Sequence, residues 1–236
     1  HKRCIFKHMY QILVIIFTYI QVELNIYYYI YMDYVIKLIT LGEAGSGKTT
    51  LVSSLCSQIK QENYHPTIGV EFSVLYFQRG GKNLKLQFWD TAGQECFAPI
   101  VKNYYKNIAG VFYVIDLTDS KSLKKINFWI DEFNNNRNCD TNMIVIGNKS
   151  DSEKRIISKE EMQEKFRARN LLYIETSAQN NINTNYALCK MVDYIIANYE
   201  LDNHPGISGG IKKNKLVLKN RDTCSYAQQK SCCTIS

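Results

Sequence analysis

The sequence contains no Cys-x-x-Cys pair and no histidine spacing that would complete a tetrahedral zinc site. Eight cysteines occur among the 236 residues, but Cys56, Cys96, Cys139 and Cys189 are scattered singly. Disulfide scaffolds and zinc modules are therefore excluded, and reduced thiols are expected. A content of 45% hydrophobic and 22% charged residues is instead typical of a globular chain. A core of about 170 residues needs no cross-link to fold.

The chain also lacks an excess of basic residues in its central part. Of the net charge of +7, residues 1–31 contribute +2 and residues 201–236 contribute +4, which leaves +1 for everything between. A nucleic-acid-binding domain would carry its basic residues on the folded body, so the distribution argues against nucleic acid as a partner. The basic tail favours an anionic membrane surface, with a solvated flexible tail as the alternative.

Residues 1–31 do not fit any recognisable fold element. The run from Met9 to Met32 is rich in Ile and Tyr and carries one acid, Glu23. Its length would span a bilayer, which takes about 20 residues, but a central carboxylate costs roughly 2.5–3.5 kcal/mol there. No small-residue cleavage site follows the run, which disfavours a secretory signal. We expect an upstream extension with Met32 as the real start; a membrane anchor and a packed extra element are the alternatives.

Residues 34–56 predict a strand, a glycine loop and a helix in succession. YVIKLITL at 34–41 is apolar and β-branched, GEAGSGKT follows at 42–49, and an amphipathic segment comes next. Glycines let successive backbone N–H groups point inward, and the helix N-terminus adds a positive dipole end for phosphate. Lys48 would neutralise phosphate oxygens and Thr49 would offer its hydroxyl to Mg²⁺. The predicted nucleotide-binding positions here are Gly42, Glu43, Ala44, Gly45, Ser46, Gly47, Lys48, Thr49 and Thr50.

Four further segments follow the glycine loop in a fixed order. They are YHPTIGVEF at 64–72, WDTAGQE at 89–95, NKSD at 148–151 and ETSA at 175–178. With them, residues 34 to about 200 resemble the Ras superfamily of small GTPases. IGVEF, WDTAGQE and the paired terminal cysteines are similar to the Rab family. The resemblance implies a GTP-binding and GTP-hydrolysing switch of vesicle-mediated membrane traffic, slow on its own and activated in trans.

The alternation of strand and helix patterns predicts an α/β fold. We expect the P-loop small GTPase fold: a six-stranded, mostly parallel, doubly wound sheet with helices on both faces. Its predicted extent is 32–200, after an atypical extension at 1–31 and before a flexible basic tail at 201–236. Helical periodicity is predicted over 121–137, 158–169 and 183–200. The hairpin around RGGK at 79–82 supplies the one antiparallel edge strand.

The resemblance assigns the remaining phosphate and metal positions. Asp90, at the carboxyl end of a strand, would hold Mg²⁺ through a water. Thr67 would be the switch I threonine, whose hydroxyl and backbone N–H meet Mg²⁺ and the γ-phosphate only in the triphosphate state. The Gly93 N–H would reach the γ-phosphate, and Gln94 would orient the attacking water. The predicted metal ligands are thus Thr49, Thr67 and Asp90, and the predicted catalytic residues are Gln94, Lys48 and Thr67.

NKSD and ETSA predict the base site. Asp151 can accept two hydrogen bonds from the guanine N1–H and exocyclic amine, which adenine does not offer in that arrangement. Asn148 would buttress the loop and contact the base, and Lys149 would lay its methylenes over the purine. The Ala178 N–H would meet the guanine O6, beside Ser177. An ATP-using enzyme would leave both segments unexplained.

Four positions depart from the family pattern. They are Ala44 beside the γ-phosphate, Lys60 where an aromatic ring usually stacks on guanine, Cys96 in place of arginine, and Gln179 in place of lysine. The first three motivate a rival hypothesis, a nucleotide-binding scaffold that scarcely cycles.

The resemblance also predicts the partners. Ile68, Phe72, Trp89 and Tyr104 match the Rab effector surface, with core packing as the alternative for the aromatics. Cys232 and Cys233, in the ending KSCCTIS, match a doubly prenylated terminus, with an unmodified pair as the alternative. Expected partners are exchange factors, GTPase-activating proteins, a dissociation inhibitor or escort protein, and helical effectors. Expected cofactors are Mg²⁺ and GTP or GDP as the bound nucleotide. The protein is expected at the cytoplasmic face of intracellular membranes, cycling with the cytosol.

Overall fold

The strands and helices follow one another in the order that the sequence pattern predicts. In this computed structural model the described residues are 32–56, 67–93, 98–201 and 211–213. The strands are β1 Tyr34–Leu41, β2 Val70–Arg79, β3 Lys82–Thr91, β4 Gly110–Asp116, β5 Asn142–Asn148, β6 Leu172–Glu175 and β7 Ile211–Lys213. The helices are α1 Lys48–Leu55, α2 Ala98–Val101, α3 Ser120–Asn136, α4 Lys159–Arg167 and α5 Thr184–Leu201. A short 3₁₀ turn, Lys102–Tyr104, follows α2.

Residues Tyr34–Lys213 form one compact unit around a single sheet, whose main path runs β2-β3-β1-β4-β5-β6. β2 pairs antiparallel with β3, and the other neighbours on this path are parallel. The predicted six-stranded, mostly parallel sheet is therefore confirmed. Because parallel strands end at the same edge, the loops after β1, β3, β5 and β6 meet there.

The sheet is covered by helices on both faces, as expected for a doubly wound fold. Along β4 the side chains alternate between the two layers. Phe112 and Val114 belong to the apolar cluster that includes α1 and α5. Val111 and Tyr113 belong to the cluster that includes α3 and α4. Each large apolar side chain buried in this way contributes about 1.5–3 kcal/mol to folding.

The helix boundaries agree with the sequence periodicity to within about two residues, since capping groups fix the starts. The Asp119 carboxylate accepts from the Lys121 N–H at 2.9 Å before α3. The Ser158 hydroxyl accepts from the Glu161 N–H at 3.1 Å before α4. Among the described residues, no helix combines the length and hydropathy that a bilayer crossing requires.

One expectation about the tail is wrong for three residues. Ile211–Lys213 form a seventh strand, which pairs antiparallel with β1 so that Ile211 faces Ile36 and Lys213 faces Tyr34. Ile211 is buried in the α1 and α5 layer. β4 pairs with β1 only from Leu38 onward, so on that side Tyr34–Ile36 pair with β7 instead. This pairing and the burial of Ile211 outweigh the flexibility that the local composition predicts. The predicted N-terminal extension, 1–31, and most of the predicted tail lie outside the described residues.

Candidate functional site

The glycine loop connects β1 to α1 and packs against two other parts of the site edge. Gly47 has φ +93°, and a Cβ there would lie 2.2 Å from Asn148 Nδ2. A Cβ on Gly93 would lie 2.4 Å from both the Ala44 backbone nitrogen and Lys48 Nζ. Glycine at these two positions lets the loop approach the β3 and β5 ends. Ala44 and Gly45 remain exposed, whereas Gly42 and Ser46 are buried.

Lys48 is almost fully buried and points back along the glycine loop. Its Nζ donates to the carbonyls of Gly42 and Glu43, each at 3.0 Å. Burial lowers the pKa of Lys48 to about 8, against the opposing effects of Asp90 and Glu43. An ammonium held in this way is available to pair with an anion, because its present partners are neutral carbonyls.

Three oxygen-bearing side chains from separate segments meet beside Lys48. The Thr49 hydroxyl donates to Asp90 Oδ2 at 2.6 Å. Its oxygen also lies 2.9 Å from the Thr67 hydroxyl. The three groups come from the start of α1, the segment before β2 and the end of β3. All of the residues proposed as metal ligands from the sequence are thus brought together.

These oxygens fit a hard divalent cation. Mg²⁺ prefers oxygen ligands and is held in proteins by one or two carboxylates together with hydroxyls, waters and phosphates. Asp90 supplies the carboxylate and Thr49 and Thr67 supply the hydroxyls. Burial raises the pKa of Asp90 above its ordinary value, although hydrogen bonds from Thr49 and Thr40 and the charge of Lys48 oppose this. A carboxylate that is costly to bury without charge compensation is suited to a cation.

Asn148 joins the glycine loop to the ETSA segment. Its Nδ2 donates to the Ser46 carbonyl at 2.9 Å. Its Oδ1 accepts from the Ala178 N–H at 3.0 Å and from the Thr176 hydroxyl at 3.2 Å. The expected buttressing role therefore matches the geometry. The Ala178 N–H, expected to meet the guanine O6, is bonded to Asn148 in this structure.

A cavity of about 320 Å³ lies next to Asn148, within the usual size range of a ligand pocket. Its lining includes Thr50, Asn148, Lys149, Asp151, Ala178 and Gln179. Asp151 is exposed, and its Oδ2 accepts from Asn180 Nδ2 at 3.2 Å. Ser177 is buried, and its hydroxyl accepts from the Asn180 N–H at 3.1 Å. The structure thus brings the NKSD and ETSA segments to one cavity.

Lys149 is fixed by an acidic residue that sequence reasoning missed. Its Nζ lies 2.5 Å from Asp116 Oδ2, and its backbone has φ +64°. Burial acts to raise the pKa of Asp116, but hydrogen bonds from Lys149 and Thr118 outweigh it and hold the pKa below the ordinary value. The lysine stem is therefore oriented at the cavity wall by a pair between the ends of β4 and β5.

A second charged network is built around Glu175, the last residue of β6. Arg155 forms a bidentate pair with Glu175, at 2.6 and 3.0 Å. The Tyr173 hydroxyl donates to the same carboxylate at 2.9 Å. Burial acts to raise the pKa of Glu175, but the hydrogen bonds from Arg155 and Tyr173 hold it below its ordinary value. The network ties the segment after NKSD to β6.

The aromatic side chains predicted to form an effector surface touch one another. Ring centroids are 4.9 Å apart for Phe72 and Trp89, and 5.0 Å apart for Trp89 and Tyr104. Phe72 is 50% exposed and Ile68 is 83% exposed, whereas Trp89 and Tyr104 are half-buried. Trp89 and Tyr104 also pack on the α3 and α4 layer. The cluster thus has one exposed edge and one buried edge.

Several residues singled out in the sequence lie outside the described residues. They are Lys60, Gln94, Cys96, Cys232 and Cys233. Their assignments stay predictions.

The residues that sequence reasoning missed become neighbours only through the sheet register. Thr40 and Asp90 are paired positions on β1 and β3, and the Thr40 hydroxyl donates to Asp90 Oδ1 at 2.8 Å. Asp116 and Asn148 are paired positions on β4 and β5. A polar residue at or near a strand end is the only sequence signal for such contacts.

Comparison with known proteins assigns the family. The family model described as "Ras family" matches residues 37–197. Ras-related protein RIC1 of Oryza sativa subsp. japonica is 32% identical over 203 residues, which cover 86% of this chain and 98% of that protein. GTP-binding protein ypt1 of Schizosaccharomyces pombe is 36% identical over 160 residues, covering 67% of this chain and 79% of that protein. Ras-related protein Rab-13 of Rattus norvegicus is 34% identical over 165 residues, covering 70% and 81%. These matches agree with the observed sheet and with the site at its edge. The chain belongs to the Ras family and is a small GTPase of the Rab type.

Proposed function

We propose that this GTPase binds Mg²⁺ with GTP or GDP at the β1, β3, β5 and β6 ends and acts as a switch in vesicle-mediated membrane traffic. The observation that carries the proposal is the convergence of Thr49, Thr67 and Asp90 beside the buried Lys48. Thr67 reaches this point from a segment that precedes β2, so its position can depend on what occupies the site. A threonine held only while a γ-phosphate is present converts hydrolysis into a conformational change.

Catalysis in this arrangement consists of positioning and charge neutralisation. Lys48 would neutralise the β- and γ-phosphate oxygens, and the inward N–H groups from Gly42 to Gly47 would bind the others. Thr49, Thr67 and Asp90 would hold Mg²⁺, which when bound neutralises the charge that develops on the phosphates. Gln94 would orient the attacking water, and the Gly93 N–H would donate to the γ-phosphate. Ser46, Gly45, Ala44, Glu43 and Thr50 complete the proposed nucleotide contacts.

Turnover by the chain alone should be slow. The segments 64–72 and 89–95 contain no arginine that could stabilise the transition state in cis. An arginine supplied in trans by an activating protein raises the rate of such enzymes by about 10³–10⁵. We therefore expect a GTPase-activating protein and an exchange factor as partners. The methyl group of the exposed Ala44 would lie next to an incoming arginine.

The aromatic cluster offers a nucleotide-dependent contact surface. Trp89 lies one residue before the proposed metal ligand Asp90, and Ile68 lies one residue after Thr67. A shift of Asp90 would therefore also move Trp89, and a shift of Thr67 would also move Ile68. Exposed apolar anchors at Ile68 and Phe72 suit a helical effector, because such anchors carry most of the energy of an interface.

Replacement of Trp89 by alanine should abolish GTP-dependent effector capture while nucleotide affinity stays unchanged. Loss of a hot-spot anchor costs about 2 kcal/mol or more, which is about 30-fold in affinity. The measurement is binding of a coiled-coil fragment selected against the protein loaded with a non-hydrolysable GTP analogue, compared with the GDP form. Phe72→Ala, which removes the half-exposed ring, should act in the same direction.

Tyr76→Ala is the matched control for this experiment. Tyr76 lies on the same strand as Phe72 and is 39% exposed, but it is outside the aromatic cluster. Equal capture by wild type, Trp89→Ala and Phe72→Ala would refute the effector assignment. So would capture that does not distinguish the GTP analogue from GDP, because the switch proposal requires that difference.

The tail is proposed to attach the protein to the cytoplasmic face of intracellular membranes. Cys232 and Cys233 would each carry a prenyl chain, and stable anchoring takes two such signals. The cations of the tail can each add about 1 kcal/mol near an anionic leaflet. Lys212 and Lys213 belong to β7, so the cations of the remaining tail are Lys215, Lys219, Arg221 and Lys230. A dissociation inhibitor or escort protein would then carry the chain between membrane and cytosol.

Protein expressed in a eukaryotic host should show an intact mass higher by two prenyl groups. The double variant Cys232→Ser/Cys233→Ser should lose both groups and move from the membrane fraction to the cytosolic fraction. Cys224→Ser, which removes the other cysteine of the tail, is the control and should leave mass addition and fractionation unchanged. An unlipidated wild type, or a double variant that stays on membranes as firmly, would remove the tail as the anchor.

A further inference from the structure

A second cavity, about 830 Å³ in volume, lies at the end of the sheet opposite the nucleotide site. We call it the distal cavity. Asn142 and Leu172, the first residues of β5 and β6, line it, whereas the base-site segments begin at the last residues of the same strands. Side chains from α4, α5 and the end of α3 complete its wall. Its volume lies within the range of small-molecule sites, about 300–1,000 Å³.

The charge of the distal cavity has one sign. Arg137, directly after α3, and Arg167, the last residue of α4, both line it. None of the described residues that line the cavity is an aspartate or a glutamate. A concave surface with two cations and no acid attracts anions and focuses the field on whatever enters it.

The arginines themselves separate into two groups. Arg79 pairs with Asp193 at 2.7 Å, Arg155 pairs with Glu175, and Arg169 donates to Asn127 at 2.7 Å. The guanidinium groups of Arg137 and Arg167 have no hydrogen bond or ion pair within the described parts of the chain. Both of these unpaired groups lie at the distal cavity. Each presents a planar fork of donors, which matches the oxygens of a phosphate.

Neutral polar groups surround the two arginines. Asn142, Asn170, Asn198 and Gln163 supply amides, and Tyr194 supplies an exposed phenol. Asn198 Nδ2 donates to Asn142 Oδ1 at 2.7 Å, which links α5 to the start of β5 across this wall. A side-chain amide carries both a donor and an acceptor, so it can bind a hydroxyl group that donates or one that accepts. Leu171, Leu172 and Tyr173 give the cavity an apolar part suited to a ring.

We propose that the distal cavity binds a phosphorylated polyol, with its phosphates on Arg137 and Arg167 and its hydroxyls on the surrounding amides. The same chemistry is offered by a soluble inositol phosphate and by the headgroup of a phosphoinositide lipid. The proposal does not rest on nucleotide binding, because no residue of the distal cavity belongs to the nucleotide site.

The test uses the full-length, unlipidated chain loaded with GDP and Mg²⁺. Calorimetry with inositol trisphosphate should give one saturable site, and Arg137→Gln/Arg167→Gln should weaken binding at least about 10-fold, since each charged hydrogen bond is worth more than a neutral one. Lys121→Gln/Lys124→Gln is the control: it removes the same charge from exposed positions at the start of α3, the opposite end of that helix from Arg137, and should bind as wild type does. Exchange of a fluorescent GDP analogue verifies that both double variants are folded.

Equal weakening by both double variants would overturn the proposal, because it would reduce the effect to net charge. Binding of inorganic phosphate as tightly as inositol trisphosphate would overturn the polyol assignment, and absence of any saturable binding would overturn the site. Neutral vesicles with and without phosphatidylinositol bisphosphate then distinguish the source. An arginine-dependent gain on the doped vesicles identifies the lipid, and soluble binding without that gain identifies the free polyol.

Discussion

Replacement of Asp151 by asparagine is expected to change the base preference of the protein from guanine to xanthine. The carboxylate of Asp151 accepts two hydrogen bonds from donors of guanine in the proposed complex. An asparagine offers one acceptor and one donor on the same plane, which matches the carbonyl that xanthine carries in place of the guanine amine. A site with an unpaired polar group discriminates by up to about 10⁴.

The geometry around Asp151 makes this effect specific to the base. Asp151 borders the cavity of about 320 Å³ and contacts Asn180, whereas the proposed phosphate and metal groups lie elsewhere along the site edge. Asp151→Asn should therefore retain tight binding of xanthosine diphosphate. The measurement is competition between GDP and xanthosine diphosphate for wild type and variant. Asp140→Asn, an exposed change outside the cavity, should leave the preference for guanine intact.

Retained guanine preference in Asp151→Asn would show that base recognition is assigned to the wrong residue. Loss of both nucleotides would mean that Asp151 supports the loop and does not read the base.

Replacement of Lys48 by alanine should abolish stable nucleotide binding. Lys48 is the one described cation whose Nζ lies on the carbonyls of the glycine loop, at 3.0 Å from each of two. Removing one partner of a buried charge pair costs about 2–5 kcal/mol, which is a loss of roughly 30-fold to several-thousand-fold. Thr49→Asn should act in the same direction, because the bulkier amide would displace the contacts to Asp90 and Thr67.

The check is retention of bound nucleotide through purification, with dissociation constants measured afterwards for GDP. Lys106→Ala, which removes an exposed lysine, should keep the nucleotide of the wild type. A Lys48→Ala protein that is folded, as judged by circular dichroism, and binds GDP with unchanged affinity would contradict the phosphate assignment.

Most of the fold could be predicted because its signals are local. Strands such as β1 and β4 are short, apolar and β-branched, and the helices show amphipathic periodicity with capping residues. β7 could not be predicted in the same way. Its three residues acquire strand geometry only by pairing with Tyr34–Ile36, more than 170 residues earlier. A non-local contact of that kind leaves no periodic pattern in the tail.

The residues of the candidate site fall into the same two groups, those with a local sequence signal and those placed by non-local contacts. Lys48, Thr49, Asp90 and Asn148 lie in motifs whose spacing reflects a loop or a strand end, and the structure brings them to one edge. The residues that orient them lie elsewhere. Thr40 acts on Asp90 through the register of β1 with β3, and Asp116 acts on Lys149 through the end of β4. Such partners follow from three-dimensional packing and have no motif of their own.

The central claim, that this chain is a Mg²⁺-dependent GTP-hydrolysing switch, is tested most directly by single-turnover hydrolysis of bound GTP. Wild type should release phosphate slowly with Mg²⁺ and stop when the metal is chelated, because Thr49, Thr67 and Asp90 then have no cation to hold. Gln94→Leu should slow the release at least about 10-fold, since the attacking water is no longer oriented. No detectable phosphate from wild type with Mg²⁺, together with an indistinguishable Gln94→Leu protein, would contradict the account and favour a nucleotide-binding scaffold.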